Sequence, residues 1–279
     1  MISIIICSRK DKIDPKFEDN IRNTVGTNFE LVLIDNSTNK YSIFQAYNLG
    51  IQKSRGDILC FIHDDILFHT KNWGLLLKSE FNNYPDFALI GIAGAKVKTQ
   101  FPTGWWDCED KYKVINIIQH EKGNVTKENF GFEDGDLSEV YVIDGVFMAL
   151  KKGLNIEFET SLGGFHGYDL NLSYEVIGKN KKIGVTNKIL IEHLSIGRLD
   201  KTWLFSMMLF HKKYQKKLKK YKYSYEQEFF AGKAYIDHCL RILGKKEGLI
   251  YLFSIFQFSS SIKIIFSLEK YFYIKLKKS

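Results

Sequence analysis

Cysteine is scarce and scattered: Cys7, Cys60, Cys108 and Cys239 are the only four in 279 residues, and none forms a CxxC pair. This spacing argues against a zinc site or a disulfide framework and fits a reducing compartment. Glycine is missing where a dinucleotide-binding chain needs it. The turn after the first apolar run reads Cys7-Ser8-Arg9-Lys10-Asp11, which gives a pyrophosphate no close backbone approach. With no P-loop either, NAD, FAD and Walker-type ATP binding are set aside. A secretory leader is not expected, because Met1–Cys7 has no basic start, is short, and meets Arg9, Lys10 and Asp11 at once. The longest apolar stretch, Leu249–Leu268, is a poor spanning helix because Gln257, Ser259, Ser260, Ser261 and Lys263 interrupt it. No internal repeat and no recognised nucleic-acid module occurs. A cytoplasmic protein is expected, with no nucleic-acid partner.

The length suits one large domain, or one domain with an appendage, and the 45% hydrophobic content is ordinary for a globular chain. A formal charge of +8 points to an anionic partner without choosing among nucleic acid, phosphorylated metabolite and acidic lipid. In the first half, β-rich runs alternate with helical patterns. Strands are expected at Ile2–Cys7, Phe29–Ile34, Ile58–Ile62 and Phe87–Ile92. Helices are expected over Asp14–Val25, Ile43–Ser54 (with Gly56 as its stop) and Trp73–Phe81. Continuous apolar strands separated by helices imply a parallel sheet covered on both faces. Residues 99–138 lack sustained periodicity and read as a long irregular functional loop or lid. One strand is expected over Glu139–Leu150, a helix over Tyr168–Ile177 with Gly178 as its stop, and a last strand over Ile189–His193. Trp203–Leu243 reads as helical and very basic, with Lys212, Lys213, Lys216, Lys217, Lys219, Lys220 and Lys222 interleaved with Tyr214, Tyr221 and Tyr223.

The strongest chemical signal is the run Asp57-Ile-Leu-Cys-Phe-Ile-His63-Asp64-Asp65, where an apolar strand ends in an imidazole and two adjacent carboxylates. Desolvating such groups is costly, so a buried strand carries them only for a reason. At a strand's carboxyl end they face the crevice where open α/β sheets bind ligands, and hard oxygen ligands there suit Mg²⁺ or Mn²⁺ holding a diphosphate. The competing role, capping the following turn, is equally open from these residues alone. Asp35, ending the second strand, is open to a ribose or base contact and equally to a turn cap with Asn36 and Ser37. Trp105 and Trp106 offer flat apolar faces that either stack on a sugar or join the core.

Seven segments follow one another in order: Ile4–Ser8, Leu33–Asn36, Ala46–Gly50, Phe61–Asp65, Asp144–Phe147, Gly167–Asp169 and His193–Ser195. Over roughly the first two hundred residues this series resembles the GT-A-fold glycosyltransferases of the family 2 type. It looks closest to the bacterial subgroup with His-Asp-Asp in place of the DXD motif. The resemblance implies an α/β GT-A fold, a mostly parallel Rossmann-like sheet with helices on both faces, at residues 1–200. Outside it lies a basic, aromatic helical extension at 201–279.

The same resemblance implies an inverting, metal-dependent transfer of a sugar from a nucleotide-diphosphate donor, most readily a UDP-sugar. The acceptor would be a hydroxyl of a glycan or lipid-linked glycan, in surface polysaccharide synthesis. By matching position, Asp65 and His193 would hold Mn²⁺ or Mg²⁺, and Asp169 would be the catalytic base. Ser8, Arg9, Asp35, Asn48 and Asp64 would hold the nucleotide. Trp105, Trp106, Gly145 and His166 are candidates for donor or acceptor sugar contacts. His63 stands at an acidic position of the motif, and Tyr168 replaces the acid that precedes the base. Two other classes remain: a sugar-phosphate nucleotidyltransferase, disfavoured by the glycine-free first turn, and a non-catalytic glycan- or lipid-binding protein with a degenerate transferase fold. The cations of 201–279, beside the apolar Leu249–Leu268, are expected to associate peripherally with anionic membrane at the inner face of the cytoplasmic membrane.

Overall fold

Local signals start the first half. In this computed structural model, which describes residues 1–133, 135–195, 197–252, 254–259 and 261–278, β1 (Ile2–Ser8) leads into α1 (Pro15–Thr24). The Asp14 carboxylate accepts from the Lys16 backbone N–H and Pro15 opens the helix, a pairing of cap and first residue that favours initiation. After β2 (Phe29–Asp35), Ser42 and Gln45 form a reciprocal capping box that begins α2 (Ile43–Lys53). This helix ends at an extended Ser54, before the expected stop at Gly56. Gly56 serves packing instead, since a Cβ there would lie 2.7 Å from the Ser3 backbone nitrogen.

β3 (Ile58–Ile62), β4 (Ile66–Phe68), α3 (Trp73–Asn83), β5 (Phe87–Gly91) and β6 (Ala93–Ala95) follow. Residues 99–138, expected to be irregular, contain a hairpin of β7 (Lys113–Glu121) and β8 (Asn124–Phe130). Lys122 and Gly123 both adopt positive φ (50° and 85°), as the mirror-image turns of tight hairpins require. Every residue of β8 is exposed, so it carries no apolar alternation to reveal it. The single strand expected over Glu139–Leu150 is three pieces: β9 (Leu137–Val140), β10 (Val142–Ile143) and β11 (Phe147–Lys151). Then come α4 (Tyr168–Gly178), β12 (Lys182–Thr186) and β13 (Ile191–His193), the last shorter than expected.

A seven-stranded sheet runs β2-β1-β3-β11-β5-β12-β9, and a second sheet runs β10-β6-β7-β13-β4 with β8 beside β7. In the larger sheet β1, β2, β3, β5 and β12 share one direction. β11 enters antiparallel between β3 and β5, and β9 closes the far edge antiparallel. The sheet is therefore mostly rather than wholly parallel. Its centre is dry: Ile2, Ile4, Ile5, Ile6, Phe61, Ile62, Leu89 and Phe147 are fully buried, each contributing about 2 kcal/mol by removal from water. The shortest crossings between the two sheets are residues 63–65, Ile92, Tyr141 and residues 144–146.

The basic third is helical, as expected, and among the described residues it forms four helices. α5 (Lys201–Leu218) and α6 (Tyr225–Leu252, kinked at Gly244, φ 75°) precede α7 (Ile255–Phe258) and α8 (Ile262–Lys278). α5 buries Trp203, Leu204, Met207, Phe210, Tyr214 and Leu218. The Tyr214 hydroxyl accepts from Asn171 Nδ2 and donates to Glu175, tying α5 to α4. α8 buries Ile264, Leu268 and Phe272 at four-residue spacing, and Leu268 fills the space left by Gly232 of α6. Ser260, part of the serine interruption noted in the sequence, lies outside the described residues. Among the described residues no helix is long and apolar enough to cross a membrane.

Candidate active site

The carboxyl ends of three neighbouring parallel strands make one crest. Ser8 ends β1 opposite Asp35 of β2, and Ile6 pairs with Ile62 at the end of β3. Beyond Ile62 the chain leaves the larger sheet, so His63, Asp64 and Asp65 project where no strand partner claims them. Ser8 is buried, and its Oγ donates to Asp64 Oδ2 at 2.5 Å while accepting from the Lys10 backbone N–H. That places Ser8 and Asp64 together on the crest.

Asp65 lies against β13. The Leu194 backbone N–H donates to the Asp65 carbonyl, and β13 pairs antiparallel with β4 so that His193 stands opposite Ile66. Ser195 Oγ donates to Asp65 Oδ2 at 2.6 Å, leaving Oδ1 toward two imidazoles, with His193 Nε2 at 3.4 Å and His63 Nδ1 at 3.7 Å. Burial alone would raise the Asp65 carboxyl. The neighbouring His193 ring, the Ser195 hydroxyl donating to Oδ2 and the His63 ring more than offset it, holding the group well below the usual carboxylate range. One ligand atom from each of His63, Asp65 and His193 fits within 4.8 Å of the others.

The other side of His193 fixes its tautomer. β13 pairs in parallel with β7, placing Gln119 opposite His193, and Gln119 Oε1 lies 3.0 Å from His193 Nδ1. The Gln119 amide donates to the carbonyls of Ser195 (2.7 Å) and His120 (3.0 Å), so its oxygen is the end that meets the ring. Nδ1–H therefore donates to Gln119, and the Nε2 lone pair faces Asp65 and His63. His63 is pushed toward the neutral imidazole by burial, with repulsion from His193 adding to it. Two imidazole nitrogens and a carboxylate oxygen, backed by Gln119 and Ser195, are a donor set that suits a divalent cation.

Asp169 opens α4 from the facing side. Gly167 sits at φ 78°, a left-handed turn that L-side chains resist, and it brings Tyr168 and Asp169 into the site. Asp169 Oδ1 accepts from the Leu170 backbone N–H at 2.8 Å. Burial, and then the negative charge of Asp144, push the Asp169 carboxyl up to about 7. The buried ammonium of Lys98 opposes this, and burial brings Lys98 itself down to about 7. Lys98 Nζ is held by the Phe101 carbonyl at 3.0 Å and Thr103 Oγ1 at 3.1 Å. Asp144 lies in the crossing between β10 and β11, accepting from the Trp105 indole N–H at 2.7 Å and the Val146 backbone N–H at 2.8 Å.

Asp35 is exposed and caps its own turn, accepting from the Ser37 backbone N–H at 2.9 Å. The Asn48 amide is occupied at both ends by the backbone of Phe158, at 2.8 Å each way. Arg9 is exposed and His166 half-buried, and among the described residues no hydrogen bond or ion pair holds either. Trp105 is buried and engaged with Asp144. Trp106 is half-buried, edge-on to Trp105 and stacked at 6.0 Å on Trp203 of α5. Gly145 lies under Tyr168, since a Cβ there would come 2.3 Å from the phenolic oxygen. The role of Gln119 escaped the sequence reading because it lies in the stretch read as irregular. Asp144 and Ser195 lie in the ordered motifs, where an acid or a hydroxyl just beyond a strand end is the signal that marks them.

Residues 3–232 match the family described as "Glycosyltransferase like family". No curated protein matches the chain. Among solved structures, GalNAc-T7 with UDP, GalNAc and Mn²⁺ is similar at a TM-score of 0.53 and 11% identity, covering 84% of this chain and 50% of that one. S. aureus TarS in complex with UDP-GlcNAc is similar at a TM-score of 0.46 and 11% identity, covering 90% of this chain and 69% of that one.

Proposed function

The chain belongs to the glycosyltransferase-like family, and from that premise we propose that it is an inverting enzyme. It moves a sugar from a nucleoside-diphosphate donor, UDP foremost, to a hydroxyl of a glycan or lipid-linked glycan in surface polysaccharide synthesis. The observation that carries this reading is that two unlike carboxylate settings meet at one site, joined through the contact between His63 and Tyr168. Asp65 is held ionised among histidines, and Asp169 is held near neutrality within the protein. Two such settings are what a transfer needs to separate charge stabilisation from proton transfer.

In this reading Ser8 and Asp64, with Asp35 and Arg9 at the rim, hold the nucleotide. Asp65 and His193, joined by His63, hold Mn²⁺ or Mg²⁺. When bound, the cation supplies positive charge for the departing diphosphate. Asp169 accepts the proton of the acceptor hydroxyl as the new oxygen–anomeric carbon bond forms and the bond to the diphosphate oxygen breaks. A carboxylate whose conjugate acid titrates at about 7 is matched to that task at neutral pH. Trp105 serves by holding Asp144, while Trp106, Gly145 and His166 border the space for the sugars.

Residues 201–279 carry 17 Lys and Arg against 5 Asp and Glu, while the first 200 residues carry 23 against 27. On α8, Phe266, Lys270, Tyr273 and Lys277 share an exposed face. Beside it is an apolar cavity of about 220 Å³, lined by Leu249, Ile255, Phe256 and Phe272 among others. We assign this face to the surface of an anionic membrane, on the cytoplasmic side. Cations near such a surface are worth about 1 kcal/mol each at low salt. Flotation with phosphatidylglycerol vesicles, lost with pure phosphatidylcholine or at high salt, is the expected behaviour. Equal recovery with both lipids would remove the assignment.

The transfer itself is tested by incubating the chain with UDP-, GDP- and dTDP-sugars, Mn²⁺ and a hydroxyl acceptor, and measuring released nucleoside diphosphate. Release with a UDP-sugar is expected. Binding of the nucleotide sugar without release under any condition would make the chain a binder rather than an enzyme.

A further inference from the structure

The two positions at which the chain departs from the family motifs touch each other. His63 and Tyr168 are 105 residues apart in sequence, yet His63 Nε2 lies 2.6 Å from the Tyr168 hydroxyl. We propose that Tyr168 is a positioning residue for the cation site. Its hydroxyl accepts the His63 Nε2–H, leaves the Nδ1 lone pair aimed at Asp65 and His193, and thereby makes His63 the third protein ligand of a His-Asp-His site that prefers Mn²⁺ to Mg²⁺. The inference rests on the proposed function only in that the enzyme takes a divalent cation.

A neutral imidazole has one donor and one acceptor nitrogen, so whatever meets one nitrogen decides the other. For His193 that partner is Gln119, which commits Nε2 to a lone pair. His63 Nδ1 faces the same point, 3.5 Å from His193 Nε2 and 3.7 Å from Asp65 Oδ1. Two lone pairs at that separation repel each other unless a cation lies between them. A phenol resolves the conflict because it both donates and accepts. Without a cation, Tyr168 donates to Nε2 and His63 Nδ1–H turns toward His193 and Asp65. With one, the ring proton resides on Nε2 and Tyr168 accepts it. One proton changes nitrogen and no net charge enters the site. An ionised carboxylate at position 168 would only accept, and it would add a charge beside Asp169.

The phenol is held in place. Tyr168 is buried, packs edge-on against Tyr47 at 5.6 Å, and passes over Gly145 so closely that only a missing Cβ leaves room for its oxygen. Gly145 takes an ordinary backbone conformation, so its value is the space it leaves. The preference for Mn²⁺ follows from the donors. Mg²⁺ demands oxygen ligands and gives up water reluctantly, whereas two imidazoles suit transition metals.

The test is a direct titration of the full chain with Mn²⁺, read by loss of the free-ion paramagnetic resonance signal and by nitrogen couplings in the spin-echo spectrum of the bound ion. The wild-type chain should show two imidazole couplings and resist displacement by equimolar Mg²⁺. Tyr168→Phe, checked for an intact thermal transition, should bind Mn²⁺ about 10–100-fold more weakly, the usual effect of losing a ligand's supporting partner. Gly145→Ala, which intrudes on the hydroxyl while leaving the tyrosine in place, should weaken binding in the same direction. His63→Ala should leave one coupling. Wild-type affinity in both Tyr168→Phe and Gly145→Ala, or two couplings in His63→Ala, would overturn the positioning role while leaving sugar transfer standing. Absent nucleotide release alongside the expected metal results would overturn the transfer and leave this inference intact.

Discussion

Replacing Asp169 by Asn should abolish transfer and at the same time stabilise the fold above neutral pH. The Asp169 carboxyl is raised from 3.8 to about 7 by burial and by Asp144. Between about pH 4 and pH 7 the unfolded chain releases this proton while the folded chain keeps it. Stability therefore falls through that window, and the full cost persists above it. Three pH units correspond to about 4 kcal/mol as an upper bound, and solvent reaching the half-buried side chain reduces this to about 2 kcal/mol. Asparagine has the same shape, keeps an oxygen for the Leu170 backbone N–H, and does not titrate. Urea midpoints of the variant and the wild-type chain should lie close together near pH 4 and separate toward pH 8, with the variant the more stable. Turnover should fall by 10²–10⁴, the usual worth of a general base, with donor affinity nearly unchanged. A variant less stable than wild type at pH 8, or a stability difference that is flat with pH, would refute the electrostatic reasoning. Near-normal turnover would remove Asp169 from the mechanism.

Removal of divalent cations by EDTA should suppress transfer, and Mn²⁺ should restore it. Mn²⁺ at a hundredfold excess over its dissociation constant should also raise unfolding stability by about 2.7 kcal/mol, so an unmoved thermal transition would count against the site. Lys98→Met removes the positive charge that opposes the rise of Asp169. The acid limb of the pH–rate profile should move upward, and a limb that stays put or moves downward would show that Lys98 acts only on its own loop. Trp105→Phe keeps an aromatic ring but takes the indole N–H from Asp144. A loss of about 1 kcal/mol in stability and roughly tenfold in turnover is expected, checked by urea unfolding and product release, with unchanged values counting against the contact.

The first hundred residues were legible because their structure is written locally. Asp14-Pro15 and Ser42 with Gln45 are helix starts that need no tertiary partner to take effect. The unread parts depend on the second sheet. β8 has no apolar face of its own and exists because β7 offers it an edge. Residues 139–150 look like one strand because both halves are buried. Within this stretch the chain changes sheet twice, at Tyr141 between β9 and β10 and at Asp144-Gly145 between β10 and β11. The reversed strand β11 escaped for a related reason, since burial on both faces makes an antiparallel strand look like its parallel neighbours.

The same seam explains why the site sits where it does. In the middle of either sheet a carboxylate would be desolvated and its backbone locked into ladders on both sides. At residues 63–65 and 144–146 the chain has left one sheet and has not yet joined the other. Polar side chains there keep an opening while the strands on each side hold their Cα atoms. The sequence shows such places as apolar runs that end abruptly in acids, which is how Asp64 and Asp65 could be picked out, whereas Asp169 is reached only through the family resemblance. It does not show partners supplied by the far side of the seam. Gln119 reaches His193 across 74 residues and Tyr168 reaches His63 across 105, through strand registers and a helix start that no local pattern encodes. Asn48 shows the converse: it lies in a matching motif, and its amide closes on the backbone of Phe158. A motif position therefore identifies the segment that lines the seam, and the hydrogen-bond partner decides which of its side chains is left to meet a ligand.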